Sequence, residues 1–226
     1  MKLVIFDCDG TLVDSQHAIV AAMNSAFEAD GLAVPTRAAV LSVVGLSLGE
    51  AIGRLVTEQD PRMIARLAER YKQAFADIRR QEIHREPLFP GARETIAALR
   101  ARPDTLLGIA TGKSRRGVDA LLEREGFVGH FLTIQTADDH PSKPHPSMVL
   151  TAMAEAGTAS PDTVMIGDTT YDMEMAVAAG VNAIGVDWGY HAGPMLERAG
   201  AAVRVSAFDD VVPALERLLF DREDPS

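Results

Sequence analysis

Two carboxylates one residue apart, in Asp7-Cys8-Asp9-Gly10-Thr11, follow directly on the apolar run Leu3-Val4-Ile5-Phe6. The run is continuous and rich in branched residues, so it reads as a buried β-strand. The acids then stand at a strand's C-terminal end, where open parallel α/β sheets bind their ligands. Placed so close they repel, and a fold tolerates that when a cation lies between them or one carries a proton. Both arrangements suit phosphoryl transfer, which uses a metal ion, a nucleophile and a general acid. Gly10 lets the chain turn sharply and approach a ligand. Taken alone, the pentapeptide also fits a strand-ending Asp-Gly turn whose acid caps a helix.

Three further motifs fall at expected strand ends. Thr111-Gly112-Lys113 offers a hydroxyl and free backbone N–H groups to an anion. Ser142-Lys143-Pro144 brings a cation, and Gly167-Asp168-Thr169-Thr170-Tyr171-Asp172 supplies two more carboxylates, four residues apart. Each has an ordinary structural explanation: a turn hydroxyl, a solvated lysine, acids charging a helix start. Their common order and placement argue for one site.

The elements that must position these residues follow from periodicity. Beyond Thr11 the chain has no convincing strand until about Glu82. Ala18-Ile19, Ala22-Met23 and Ala26-Phe27 recur at helical spacing, with Ser15 as the expected N-cap and Gly31 as the stop. Thr36 and Ser47 open two more helices, and Pro61 a long fourth one through Ile64, Leu67, Tyr71, Phe75 and Ile78. Residues 14–82 therefore read as a helical unit. From Phe89 onward strands alternate with helices: strands over 105–110, 131–135, 163–166, 181–186 and 202–205, helices over 116–123, 147–156, 172–178 and beyond Phe208. That alternation predicts a parallel sheet covered by helices, an α/β fold. The first strand must join this sheet, so the helical unit is an insertion lying over the strands' C-terminal edge as a lid.

The whole chain sets bounds. Its 226 residues are 47% hydrophobic and 24% charged, with a net charge of −10. Nucleic acid and anionic membrane both call for a basic face and are not expected partners. A small phosphorylated molecule remains compatible, because a local metal and lysine dominate the field at a site. The single cysteine, Cys8, forms no internal disulfide. With no charged leader before the first strand, a cytoplasmic location is expected. No apolar stretch approaches the roughly 18 residues of a membrane helix. The tail 221–226 is expected to be disordered. Monomer and homodimer both stay open.

The order of these motifs resembles the haloacid dehalogenase superfamily of phosphotransferases, in the branch with a helical cap inserted after the first motif. The pattern hydrophobic-Asp-x-Asp-Gly-Thr-Leu-x-Asp-Ser is complete through Leu12, Val13, Asp14 and Ser15. The resemblance implies a Rossmann-like core over residues 1–13 and 83–226 and a cap over 14–82. It implies Asp7 as the nucleophile that forms an aspartyl-phosphate, and Asp9 as the acid and base. Thr111 and the N–H of Gly112 would hold phosphoryl oxygens, and Lys143 would offset their charge. Mg²⁺ would be bound by Asp7, the Asp9 backbone carbonyl and Asp168, with Asp172 acting through water or by orienting Lys143. Asp9 sets the chain apart from dehalogenases, which lack that acid. Leu48 stands where related mutases carry an Arg, which weakens a phosphomutase alternative. Lys72, the cap's one lysine, lies on the long helix, which disfavours imine chemistry. A non-catalytic binding protein would not need Asp9. The stretch Gly185-Val186-Asp187-Trp188-Gly189-Tyr190 is similar to that of phosphoglycolate phosphatases, which makes phosphoglycolate the first substrate expected.

Other residues carry less. Cys8 should point away from the two acids as a buried filler. His140 and His145 lack zinc-site spacing. Arg115-Arg116 reads as an exposed helix start. Trp188 and Tyr190 read as packing residues. In the cap, Gly45, Ser47 and Arg54 are the expected substrate contacts.

Overall fold

Strand β1 (Lys2–Phe6) faces two ways. Val4 and Phe6, with Cys8 beyond them, are buried in one apolar cluster, and Leu3 and Ile5 in another on the opposite face. Burial on both faces makes β1 interior to its sheet. The computed structural model describes residues 1–80 and 86–219. The expected boundary at 82/83 and the tail 221–226 lie outside the described residues.

After β1 come α1 (Gln16–Ala29), α2 (Arg37–Ser42), α3 (Leu48–Leu55) and α4 (Pro61–Arg80). The chain continues through α5 (Ala92–Arg100), β2 (Thr105–Thr111), α6 (Arg115–Glu125), β3 (Thr133–Thr136) and α7 (Ser147–Ala156). It ends with β4 (Thr163–Gly167), α8 (Thr170–Ala179), β5 (Asn182–Val186), α9 (Gly193–Arg198), β6 (Val203–Val205) and α10 (Val211–Leu219).

The sheet order is β3-β2-β1-β4-β5-β6, with every pair parallel. The winding therefore reverses between β1 and β4. A crevice opens at such a reversal, outside the strands' carboxyl ends. Phe6 is in register with Ile109 on one side and Ile166 on the other. The residues just beyond these leave the sheet at one level, which brings Asp7, Thr111 and Asp168 into one neighbourhood.

The unit α1–α4 has its own apolar centre. Ile19, Met23 and Phe27 line one face of α1 at four-residue spacing and meet Val40, Val44, Ile52 and Leu67. Thr36 caps α2, its hydroxyl accepting from the Ala39 N–H at 3.2 Å. Ser15 does not cap α1 as expected: its side chain makes no capping bond and instead lies 3.1 Å from the Tyr190 hydroxyl. The third strand begins two residues later than expected, at Thr133, because Phe131 packs into the core ahead of it. Helices α5 and α9 were not foreseen. The first starts behind Gly91 at φ +85, and the second has only six residues. Among the described residues no helix is long and apolar enough to cross a membrane.

Candidate active site

The β1–β4 ladder runs one residue past Phe6, with the Asp7 N–H donating to the Ile166 carbonyl at 2.9 Å. This fixes the Asp7 carboxyl, fully buried, at the floor of the crevice. Lys143 Nζ lies 3.1 Å from Asp7 Oδ1 and 2.5 Å from Asp172 Oδ1. The contact with Asp7 is an ion pair without hydrogen-bond geometry, so both Asp7 oxygens are buried without a hydrogen-bond partner.

Asp168 and Asp172 differ from it in this. Asp168 Oδ1 accepts from the Thr11 hydroxyl at 2.9 Å, and Oδ2 from the Tyr190 N–H at 2.8 Å. Gly10 and Gly189 wall it in: a Cβ on either would fall within 2.2 Å of an Asp168 side-chain atom. Asp172 is the third residue of α8, and its Oδ2 accepts from the N–H and hydroxyl of the capping residue Thr169 at 3.0 and 2.6 Å. With Oδ1 on Lys143, Asp172 is engaged by the helix start and the lysine.

Carboxylate oxygens of Asp7, Asp168 and Asp172 all lie within 4.8 Å of one another. Burial pushes the Asp7 carboxyl up to about 6, with Asp172 and Asp9 adding to it against the pull of Lys143. Burial also raises Asp168 well above the usual carboxylate range, reinforced by Asp172 and Asp7. One lysine thus under-compensates three buried acids. A hard divalent cation with oxygen ligands fits both this charge deficit and the orphaned Asp7 oxygens.

Asp9 stands apart from that cluster. Its Oδ1 accepts from Lys113 Nζ at 2.7 Å, and Glu86 lies on the other side of the same ammonium at 3.2 Å. Burial works against charge on Lys113, but Asp9 and Glu86 outweigh it and hold the amine firmly protonated.

A cavity of about 1010 Å³ separates the acids from the helical unit, and Asp7, Asp9, Thr111, Gly112, Gly45 and Ser47 all line it. The segment after α2 lies directly on the sheet's motifs. The Ser47 N–H donates to Ser142 Oγ at 2.8 Å, next to Lys143, and the Gly45 and Leu46 carbonyls leave no room for a side chain at Gly112. Lys72 does line the cavity, although it sits on α4.

Arg54 does not line it, contrary to expectation. It donates to the Tyr171 hydroxyl at 3.0 Å and lies over that ring, beside a separate groove. It lies seven residues, about two helical turns, beyond Ser47 and there meets Tyr171. The remaining residues take the ordinary roles foreseen for them. Cys8 is fully buried, and burial pushes its thiol up. His140 bridges Ser147 and Gln135, and Arg115 pairs with Asp119. Trp188 packs between Phe89 and Phe208 and donates to the Thr11 carbonyl.

Four site residues escaped the sequence reading as functional: Thr11, Lys113, Ser142 and Glu86. The first three stand within motifs quoted above without a role of their own, and that membership is the available signal. Glu86, before Pro87 on the return from the helical unit, has none.

Comparison with known proteins bears on the family and the fold. The profile of the haloacid dehalogenase-like hydrolase family matches residues 4–186. The chain is 40% identical over 223 residues to the "probable phosphatase IndB" of Dickeya dadantii, covering 96% of this chain and 94% of that one. It is 28% identical over 237 residues to the phosphoglycolate phosphatase of Escherichia coli K12, covering 94% and 91%. The crystal structure of a hydrolase from Pseudomonas syringae superposes with a TM-score of 0.84 at 27% identity, covering 97% of this chain and all of that one.

Proposed function

The chain belongs to the haloacid dehalogenase-like hydrolase family, and from that premise we propose that it is a Mg²⁺-dependent phosphatase of a small phosphorylated metabolite. The observation that carries this reading is the Asp7 carboxylate: buried, against a lysine, with neither oxygen hydrogen-bonded. A carboxylate held so has lone pairs free to attack phosphorus.

In this reading an Asp7 oxygen bonds to phosphorus as the bond to the leaving oxygen breaks. Asp9 gives that oxygen a proton. Asp9 then takes a proton from water as the water attacks the aspartyl-phosphate, which releases phosphate and restores Asp7. Thr111 and the Gly112 N–H hold the transferring oxygens, and Lys143 offsets their charge. Asp7, the Asp9 carbonyl and Asp168 would hold Mg²⁺, with Asp172 orienting Lys143. When bound, the ion supplies positive charge to the phosphoryl oxygens.

The helices α1–α4 act as a cap that excludes water and reads the leaving group. Phosphoglycolate is the first substrate to test, given the Escherichia coli relative. The single buried cysteine suits a cytoplasmic enzyme.

The test is a panel of phosphorylated metabolites, with Mg²⁺ and with excess chelator, on wild type, Asp7→Asn and Asp9→Asn. Phosphate release needs metal and is lost in Asp7→Asn. With an activated aryl ester, Asp9→Asn still forms acid-stable phosphoenzyme but hydrolyses it slowly. Full turnover in chelator, or near-normal rates for Asp7→Asn, would remove the reading.

A further inference from the structure

Asp9 and Lys113 belong to a buried charge cluster that the phosphoryl-binding residues do not require. The Asp9 side chain is 13% exposed, that of Lys113 7% and that of Glu86 2%. Glu86 meets Lys113 at 3.2 Å, and Arg79 and Arg124 at 3.5 Å each. Arg124 also donates to the Glu86 backbone carbonyl at 2.7 Å. The Phe75 ring covers Lys113, its centroid 5.3 Å from Nζ. Two carboxylates and three cations are thus packed together under an aromatic lid.

The parts come from elements that a stability role alone would not single out. Asp9 lies on the way into the helical unit and Glu86 on the way out. Arg79 is in the last turn of α4, Lys113 in the loop before α6, and Arg124 in the last turn of α6. A surface ion pair leaves its partners free to rotate, and most contribute little. A buried pair at hydrogen-bond distance fixes both rotamers, because leaving either charge unpaired is costly. Lys113 is itself fixed, clamped between Asp9 and Glu86 with its ammonium over Phe75 and its stem against Gly117. Proton transfer to a leaving oxygen tolerates little misplacement of the acid.

We propose that Lys113, clamped by Glu86, is the positioning residue for Asp9, holding its carboxyl where it meets the leaving-group oxygen. The inference rests on Asp9 being the acid of the reading above. It assigns to the lysine of Thr111-Gly112-Lys113 a task distinct from phosphate binding. Glu86 acts one step further out, through Lys113.

The experiment uses the full chain with Mg²⁺ and two esters that differ in their need for a proton. An alkyl phosphate has a poor leaving group and needs the acid. A dinitrophenyl phosphate expels a stable anion and does not. First-turnover release is read for both, since later turnovers also use Asp9 as a base. Lys113→Met keeps the stem and removes the charge. It is expected to slow the saturating first-turnover cleavage of the alkyl ester about 30-fold, with the half-saturating ester concentration changed by less than about threefold, and first-turnover aryl-ester release by less than about threefold. Lys113→Arg, which keeps a cation, should return the alkyl rate to within about fivefold of wild type. Glu86→Gln should shift the alkyl/aryl ratio in the same direction by about fivefold, and it gives the reading if Lys113→Met does not fold. Equal losses on both esters, or a wild-type ratio in the folded variant, overturn the inference alone. Wild-type protein that cleaves neither ester overturns the phosphatase reading and this inference with it.

Discussion

The Thr11 hydroxyl donates to Asp168 Oδ1 at 2.9 Å, so a loop leaving β1 orients a carboxylate delivered by β4, 157 positions later. Removing the donor leaves a buried acceptor unpaired and the carboxylate free to turn. Groups that orient metal ligands are typically worth 10- to 100-fold in affinity. Thr11→Val, of nearly the same shape, should raise the Mg²⁺ concentration for half-maximal activity about tenfold or more. A Mg²⁺ titration identical to wild type would show that Thr11 does not orient the ligand.

Gly189 gives a harsher version of the same test. Its added Cβ would lie 2.1 Å from the Asp168 Cβ, closer than any real contact. Gly189→Ala must therefore displace Asp168 or the loop behind Tyr190. Activity is expected to fall about 100-fold while the circular dichroism of the sheet and helices persists. Retention of more than a third of wild-type activity would mean that the loop yields without moving the acid.

The raised Asp7 carboxyl has a consequence for stability without metal. Below its ordinary value of 3.8, Asp7 is protonated in folded and unfolded chains alike and costs nothing. Between 3.8 and about 6 the folded protein holds a proton that the unfolded chain has released, so stability falls as pH rises. Above about 6 the loss is complete, at most about 3 kcal/mol. Metal-free wild type should therefore melt progressively earlier than Asp7→Asn between about pH 4 and 6, by up to about 10 °C, with no further change above that. Mg²⁺ should reverse the order at pH 7, since the amide is the poorer ligand. Parallel melting curves for the two proteins across this range would contradict the burial cost.

Substrate choice should follow the cavity wall. Ser47 and Lys72 line it, and Arg54 does not. Ser47→Ala and Lys72→Met are expected to reorder a panel of phosphorylated metabolites, with aryl phosphate cleavage falling less than about tenfold. Arg54→Ala should leave the order as it is. Lys143→Ala should depress every ester, because it lies against Asp7, which all of them engage. A panel rescaled evenly by the Ser47 and Lys72 variants would move leaving-group recognition to the sheet side, beginning with Arg116.

The legible part of this architecture is the part with strong periodicity or short-range chemistry. Strands such as Leu3–Phe6 and Val164–Ile166 are uninterrupted apolar runs, and Asp7, Thr111, Lys143 and Asp168 each sit where such a run stops or just beyond a turn. The cap residues were harder, because Ser47 and Arg54, seven residues apart, share one helix face by spacing, and only the packing of α3 against the rest of the molecule decides which of them meets the cavity. That is why Ser47 reaches it and Arg54 turns to Tyr171. Ser15 looked like a cap by type, but Tyr190, distant in sequence, competes for its hydroxyl. Glu86 was invisible for a similar reason. Its meaning comes from three cations on α4, the β2–α6 loop and α6, and nothing beside it in the chain signals them.

The sheet order bears on how the protein comes to life on the ribosome. Strand β1 is made first yet is flanked in the finished sheet by β2 and β4, and β4 ends only at Gly167. Asp7 is thus synthesised long before the strand that presents Asp168 exists. Contacts spanning so much chain form late, after the cost of closing a long loop is met. A nascent chain that has emerged only through α7 already carries Asp7, Thr111 and Lys143, yet has no partner for the second side of β1. The buried group of Asp7, Lys143, Asp168 and Asp172 therefore comes together only after β4 and the start of α8 have been made.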